Sequence, residues 1–153
     1  MRSLWMKYGP LCAYMLCLTR GMIAQDLQVL VLDALDGKPQ ANVRVEYFCA
    51  GPPRNSAPRK AITDNKGLAK ISISCSDKQK IEMSVYPSNK KQQCGDDAVM
   101  TFDNAVSKGF VSKPDSAGGI SCPTKESKAL KAVPGQVVIF VKKPTWWQSH
   151  FAG

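Results

Sequence analysis

A single histidine, His150, stands in a chain of 153 residues, and that scarcity excludes more chemistry than any other feature. A Ser-His-Asp or Cys-His arrangement would rest on one imidazole close to the end of the sequence. No two cysteines have CxxC spacing, so a tetrahedral zinc site lacks its usual ligand pairs. There is no glycine-rich phosphate loop or dinucleotide motif and nothing recurs at a fixed period. No motif that reads DNA or RNA accompanies the basic residues, so nucleic acid is not expected as a partner. Nor does any apolar run approach the ~20 residues of a membrane helix. Among the acids, Asp96, Asp97 and Asp103 offer the makings of an acid/base pair, but helix capping accounts for the first two more simply. Asp33, Asp64 and Asn65 are the residues most able to share a calcium ion, although the last two also make an ordinary turn. No cofactor is expected.

What is present begins with a leader. Arg2 and Lys7 give a basic start, residues 11–18 are an apolar run of eight, and the small residues Gly21 and Ala24 follow. This is the layout of a secretory signal peptide cleaved after residue 24, and removing it leaves no membrane span. Cys12 and Cys17 leave with it, so Cys49, Cys75, Cys94 and Cys122 remain, an even number bound for an oxidising compartment. The mature chain keeps 18 basic residues against 12 acidic, a net charge of +6, with its lysines scattered rather than massed. Scattered lysines read as solvated loops and sheet edges, with loose attraction to anionic polymers as the functional alternative.

The organising stretch is residues 27–75. Residues 27–34 are apolar at almost every position, which predicts a strand covered on both faces. Asp36-Gly37 is a turn, and Pro39, which has no N–H to donate, is expected to take the chain out of the sheet. Residues 42–49 alternate, with Val43, Val45, Tyr47 and Cys49 on one face and Asn42, Arg44 and Glu46 on the other. A proline-rich loop over 50–59 leads to a short strand at 60–63, and Asp64-Asn65-Lys66-Gly67 turns into another alternating strand at 68–75. There Ala69, Ile71, Ile73 and Cys75 share the apolar face. Strand parity therefore places Cys49 and Cys75 inward at two strand ends, where they can bond across the layers of a sandwich. Cys94–Cys122 follows by elimination, although four cysteines allow three connectivities. Each bond would add roughly 2–4 kcal/mol, mainly by restricting the unfolded chain.

Residues 80–86 form the next strand. The polar insert over 87–131 is expected to hold one short helix, capped by Asp96-Asp97, with Val99, Phe102 and Val106 on its apolar stripe and Lys108-Gly109 at its stop. Pro134-Gly135 introduces a last strand over 136–141, apolar on both faces. The organisation expected is thus a signal peptide over 1–24, one domain over 25–142 and an aromatic tail over 143–153. The fold class is an all-β, seven-stranded or so Greek-key sandwich of transthyretin/Ig-like type with one short helix in a disulfide-closed insert.

Val29, Val31, Gly37-Lys38-Pro39, Val43, Val45, Thr63-Asp64 and Gly67 together resemble the carboxypeptidase regulatory-like domain, a transthyretin-like sandwich of small exported bacterial proteins. The match spans about a third of the chain and consists of turn chemistry and alternation, so it implies a fold and no activity. Two enzyme families share the sandwich. Hydroxyisourate hydrolases need several histidines and a Tyr-Arg-Gly-Ser ending, where this chain has His-Phe-Ala-Gly. Intradiol dioxygenases need paired histidines for iron. The remaining invitation to a partner is Trp146-Trp147, either a platform for a glycan or protein or a cap folded over the sandwich edge. The expectation is a secreted or periplasmic, non-catalytic module that binds an envelope protein or glycan. The alternatives are an enzyme of unrecognised type and a purely structural envelope protein. Non-reducing peptide mass mapping of the exported protein is expected to find an N terminus near Gln25 and no free thiol. An intact Met1 with free cysteines would rule out export.

Overall fold

Alternation sets the inner surfaces of two sheets. The computed structural model describes residues 25–51, 57–75, 78–87, 91–95, 97–113, 122 and 130–143. In chain order its elements are β1 (Gln25–Asp33), β2 (Arg44–Ala50), β3 (Arg59–Ile62), β4 (Leu68–Ile73), β5 (Lys80–Tyr86), β6 (Gln92–Gln93), β7 (Ala98–Thr101), α1 (Phe102–Ser107), β8 (Phe110–Val111) and β9 (Gln136–Lys142). One sheet runs β4-β1-β9-β6, with β8 also on β9, and the other runs β3-β2-β5-β7. β9 is parallel to both β1 and β8; every other pairing is antiparallel. The result is an all-β sandwich. Its described residues hold nine strands rather than about seven, because the expected insert supplies β6, β7 and β8 besides its short helix.

The sheets meet over one apolar cluster, to which β1 contributes Leu27, Val29 and Val31, β5 contributes Ile81, Met83 and Val85, and β9 contributes Val137, Ile139 and Val141. A second cluster lies on the opposite side of the five-stranded sheet, where Leu32, Ala34, Val138 and Phe140 pack with Cys94 and Cys122. Beyond the exposed Gln28, β1 is covered on both faces, as is β9 from Val137 to Val141, which suits their largely apolar sequence.

Both expected disulfides are present. Cys49 in β2 joins Cys75 just beyond β4, Cα atoms 5.9 Å apart, which ties the two sheets together. Cys94–Cys122, Cα atoms 5.6 Å apart, sits inside the second cluster on the back of the five-stranded sheet.

Two local readings change. Pro39 does not leave the sheet: it forms a bridge opposite Leu32, flanked by Asp33 N–H to Lys38 O at 2.8 Å and Gln40 N–H to Val31 O at 2.9 Å. The ladder makes no demand on position 39 for a donor, so proline is tolerated there. The helix is shorter than expected and starts later. Residues 98–101 are strand, paired to β5, with Ala98 and Met100 buried and Val99 41 % exposed. α1 is capped at Thr101 without a side-chain bond, so Asp97 is no cap, and Asp96 lies outside the described residues. Helical spacing of Val99, Phe102 and Val106 competed with a period of two over four residues, and pairing to β5 decided between them. Phe102 and Ala105 are the buried residues of the helix, and Val106 packs against the core.

The stop at Gly109 is as expected. Its φ is 73°, and a Cβ there would overlap the Val133 carbonyl. Gly67, with φ 71°, takes the positive φ of the β3–β4 turn, and its added Cβ would lie 2.8 Å from Val31 O and 2.9 Å from Gln40 N. Alanine at either glycine meets both a strained backbone and atoms that cannot move cheaply.

Strand parity in β7 can be tested by thermal and urea unfolding. Met100→Ala is expected to cost about 2–5 kcal/mol, and Val99→Ala to stay within about 0.5 kcal/mol. The reverse ranking would restore the longer helix.

Candidate functional site

The two sheets differ in what lies outside them. Behind the five-stranded sheet, Cys94 and Cys122 pack over Leu32, Ala34, Val138 and Phe140. The outward residues of the four-stranded sheet meet solvent, and registry arranges them in rows. Ile62, Arg44 and Tyr86 lie side by side on β3, β2 and β5. The next row is Lys60, Glu46 and Ser84, extended by Asp97. Phe48, Glu82 and Val99 form the third. Ile62 is 67 % exposed and Tyr86 47 %.

The charges on this face are ordered by contacts within it. The Arg44 guanidinium lies over the Tyr86 ring, 4.7 Å from its centroid, a contact worth about 0.5–1 kcal/mol at an exposed site. Glu46 Oε1 is 3.3 Å from Arg44 Nε and 3.6 Å from Lys60 Nζ. Ser84 Oγ–H donates to Asp97 Oδ1 at 2.8 Å. Two aromatic residues, an exposed isoleucine and charges of both signs on a flat surface match the composition of protein contact surfaces, which favour Tyr, Phe and Arg.

The acids considered for calcium are engaged by their own chain. Asp33 accepts Leu35 N–H at 2.8 Å and the Lys91 ammonium at 2.7 Å, and Lys91 also donates to Gln40 Oε1 at 2.7 Å. Asp64 Oδ1 accepts the N–H groups of Lys66 at 2.8 Å and Leu68 at 3.0 Å. Those two bonds hold its carboxyl below the ordinary carboxylate range. Asp36 is lowered in the same way, first by its bond to the Lys38 side chain. No group of three or more His, Cys, Asp or Glu among the described residues is placed to hold a metal. Thr63 is likewise structural: its hydroxyl donates to Gln40 O at 2.7 Å and accepts Val43 N–H at 2.9 Å, locking the β1–β2 connection to the end of β3.

Trp146, Trp147 and His150 lie outside the described residues. Asp97 lies beside Ser84 on the outward side of the four-stranded sheet, and Asp103 occupies the first turn of α1. No helix among the described residues is long and apolar enough to cross a membrane. The sequence reading passed over the Ile62–Arg44–Tyr86 row. The alternation of residues 42–49 had put Arg44 on the polar face, but the registry that brings Ile62 and Tyr86 beside it is set by pairing between distant strands. Compared with protein-family models, curated proteins and solved structures, the chain matches none.

The lowered carboxyl of Asp64 gives a pH test. Its ionised form is favoured by folding, so its contribution is present above the ordinary carboxylate pKa and lost as pH falls through the lowered value. Asp64→Asn keeps the acceptor oxygen and removes the charge. Melts from pH 7 downward are expected to show the wild type ahead at neutral pH, with the difference closing as the medium becomes strongly acidic.

Proposed function

We propose that this protein is a non-catalytic, exported binding module of the carboxypeptidase regulatory-like kind, and that it contacts a protein at the cell envelope through the outward face of β3-β2-β5-β7. The observation that carries this reading is the contrast between the two sheets. On the back of one, Cys94 and Cys122 pack over Leu32, Ala34, Val138 and Phe140, whereas on the other Ile62, Arg44 and Tyr86 form one exposed row among the described residues. Support for export comes from the basic-then-apolar leader and the two disulfides. Support for a non-catalytic role comes from the single histidine in the chain and from acids committed to turns and ion pairs.

Cosedimentation with isolated envelopes tests this. Arg44→Ala/Tyr86→Ala is expected to weaken retention at least tenfold while leaving the melting temperature nearly unchanged, since both side chains are on the surface. Treating the envelopes with protease beforehand should abolish retention. Survival of retention after protease would make the partner a glycan. Loss only with Trp146→Ala/Trp147→Ala would move the site to the tail.

A further inference from the structure

The contact face carries a charge pattern that selects an occupant. Lys60 lies on β3 at one side of the four-stranded sheet. Asp97, bonded to Ser84, lies at the other side beside β7, with Glu82 next to it on β5. The face is therefore basic along β3 and acidic along the β5–β7 side, with the Arg44–Tyr86 pair between. Lys80 is the exception, at the far end of β5 opposite Ala50.

We infer that a second copy of this chain binds face to face on this sheet, about a two-fold axis running along the strands between β2 and β5. The inference rests on reading the face as a contact surface. That axis carries β3 over the partner's β7 and β2 over the partner's β5, keeping each row opposite itself. Lys60 then faces the partner's Asp97, Arg44 faces the partner's Tyr86, and Glu46 faces the partner's Ser84. Symmetry makes each contact twice, as an isologous interface requires. The other in-plane two-fold, across the strands, lays β3 on the partner's β3 and β7 on the partner's β7, and inverting the three rows about the middle one sets like charge on like, Lys60 on Lys60 and Asp97 on Asp97. Only the first axis answers each charged margin with its complement. Sheets stacked face to face keep their strands within about 30° of each other, and the long Lys60 side chain spans the resulting offset at the margin.

The size of the face sets the strength. Four strands about 4.8 Å apart, with outward residues over about 20 Å of strand, give a footprint of roughly 400 Å² a side. A standard interface buries about 800 Å² per partner, so the association belongs to the weak, reversible class. The +6 charge of the mature chain also opposes it at long range. The specificity lies in the arrangement of charge across the face.

Sedimentation velocity of the mature protein tests this from about 10 µM to about 1 mM, the range in which so small an interface dissociates. Wild type is expected to shift reversibly from monomer to dimer. Lys60→Glu and Asp97→Lys should each weaken association about tenfold or more, and the two together in one chain should restore it to within about threefold. Zero-length carbodiimide coupling of the unaltered protein offers a route that needs no variant. The isolated dimer should contain a Lys60–Asp97 peptide link. A monomer throughout the range, a double swap that fails to rescue, or a coupled dimer without that link would each overturn the proposal. Envelope retention measured on the same samples separates the two readings. A strictly monomeric protein whose retention still depends on Arg44 and Tyr86 removes the self-pairing and keeps the contact face. A dimer whose envelope retention ignores those residues keeps the self-pairing and removes the envelope role.

Discussion

The parallel pair β1–β9 is the constraint on which the rest of the structure depends. Both strands are apolar on both faces, with Val29, Val137, Ile139 and Phe140 fully buried, so this ribbon needs cover on two sides. The four-stranded sheet covers one side, anchored by Cys49–Cys75. Phe140 and Val138 point the other way and pack with the Cys94–Cys122 disulfide. At about 0.8 kcal/mol per buried methylene, leaving that second face open would cost several kcal/mol. The second disulfide thus puts Cys94 and Cys122 over a face that the opposing four-stranded sheet cannot reach.

Because β2 and β5 alternate, the four-stranded sheet has no such need. Its inward residues fill the core, and its outward ones carry enough charge to face water. The asymmetry between the two outer surfaces therefore follows from the sequence of four strands. The turns at the end of the sandwich reached by β1, β3 and β5 are then fixed by local bonds: Thr63 locks two connections, Asp64 builds its own turn, and Lys91 ties the start of β6 to Asp33 and Gln40.

Most of this was legible along the chain. Parity put Cys49 and Cys75 on inward faces, and that one inference yielded both pairings. The double-sided apolar character of residues 27–34 and 136–141 announced their central positions, although not that they lie parallel to each other, which depends on where the intervening segments go. The region from 87 to 113 resisted. Gln92–Gln93 and Phe110–Val111 are strands because the free edge of β9 accepts their backbone bonds, and nothing in two residues encodes that. Val99 misled because three apolar residues at helical spacing also satisfy a strand followed by a short helix. The contact face was half legible: Arg44 and Glu46 were outward by parity, whereas Ile62 and Tyr86 join them only through registry.

The edges of the four-stranded sheet favour the proposed contact face over strand addition. An open edge invites another strand unless something occupies or charges it. β3 is short and presents Arg59 and Lys60, and Arg59 reaches across to donate to Ser72 O of β4 at 3.2 Å, closing the gap between the sheets on that side. On the opposite side β7 runs straight into α1, whose Phe102 and Ala105 enter the core while the Ala105 carbonyl accepts the N–H groups of both Gly109 and Gly135. A peptide adding to β7 would find four residues before the backbone turns into a helix, too little for a stable ladder. With the edges of the four-stranded sheet charged or interrupted, backbone pairing has little to hold there, and the proposed contact would instead draw on side chains, whose order of charge runs across β3, β2, β5 and β7.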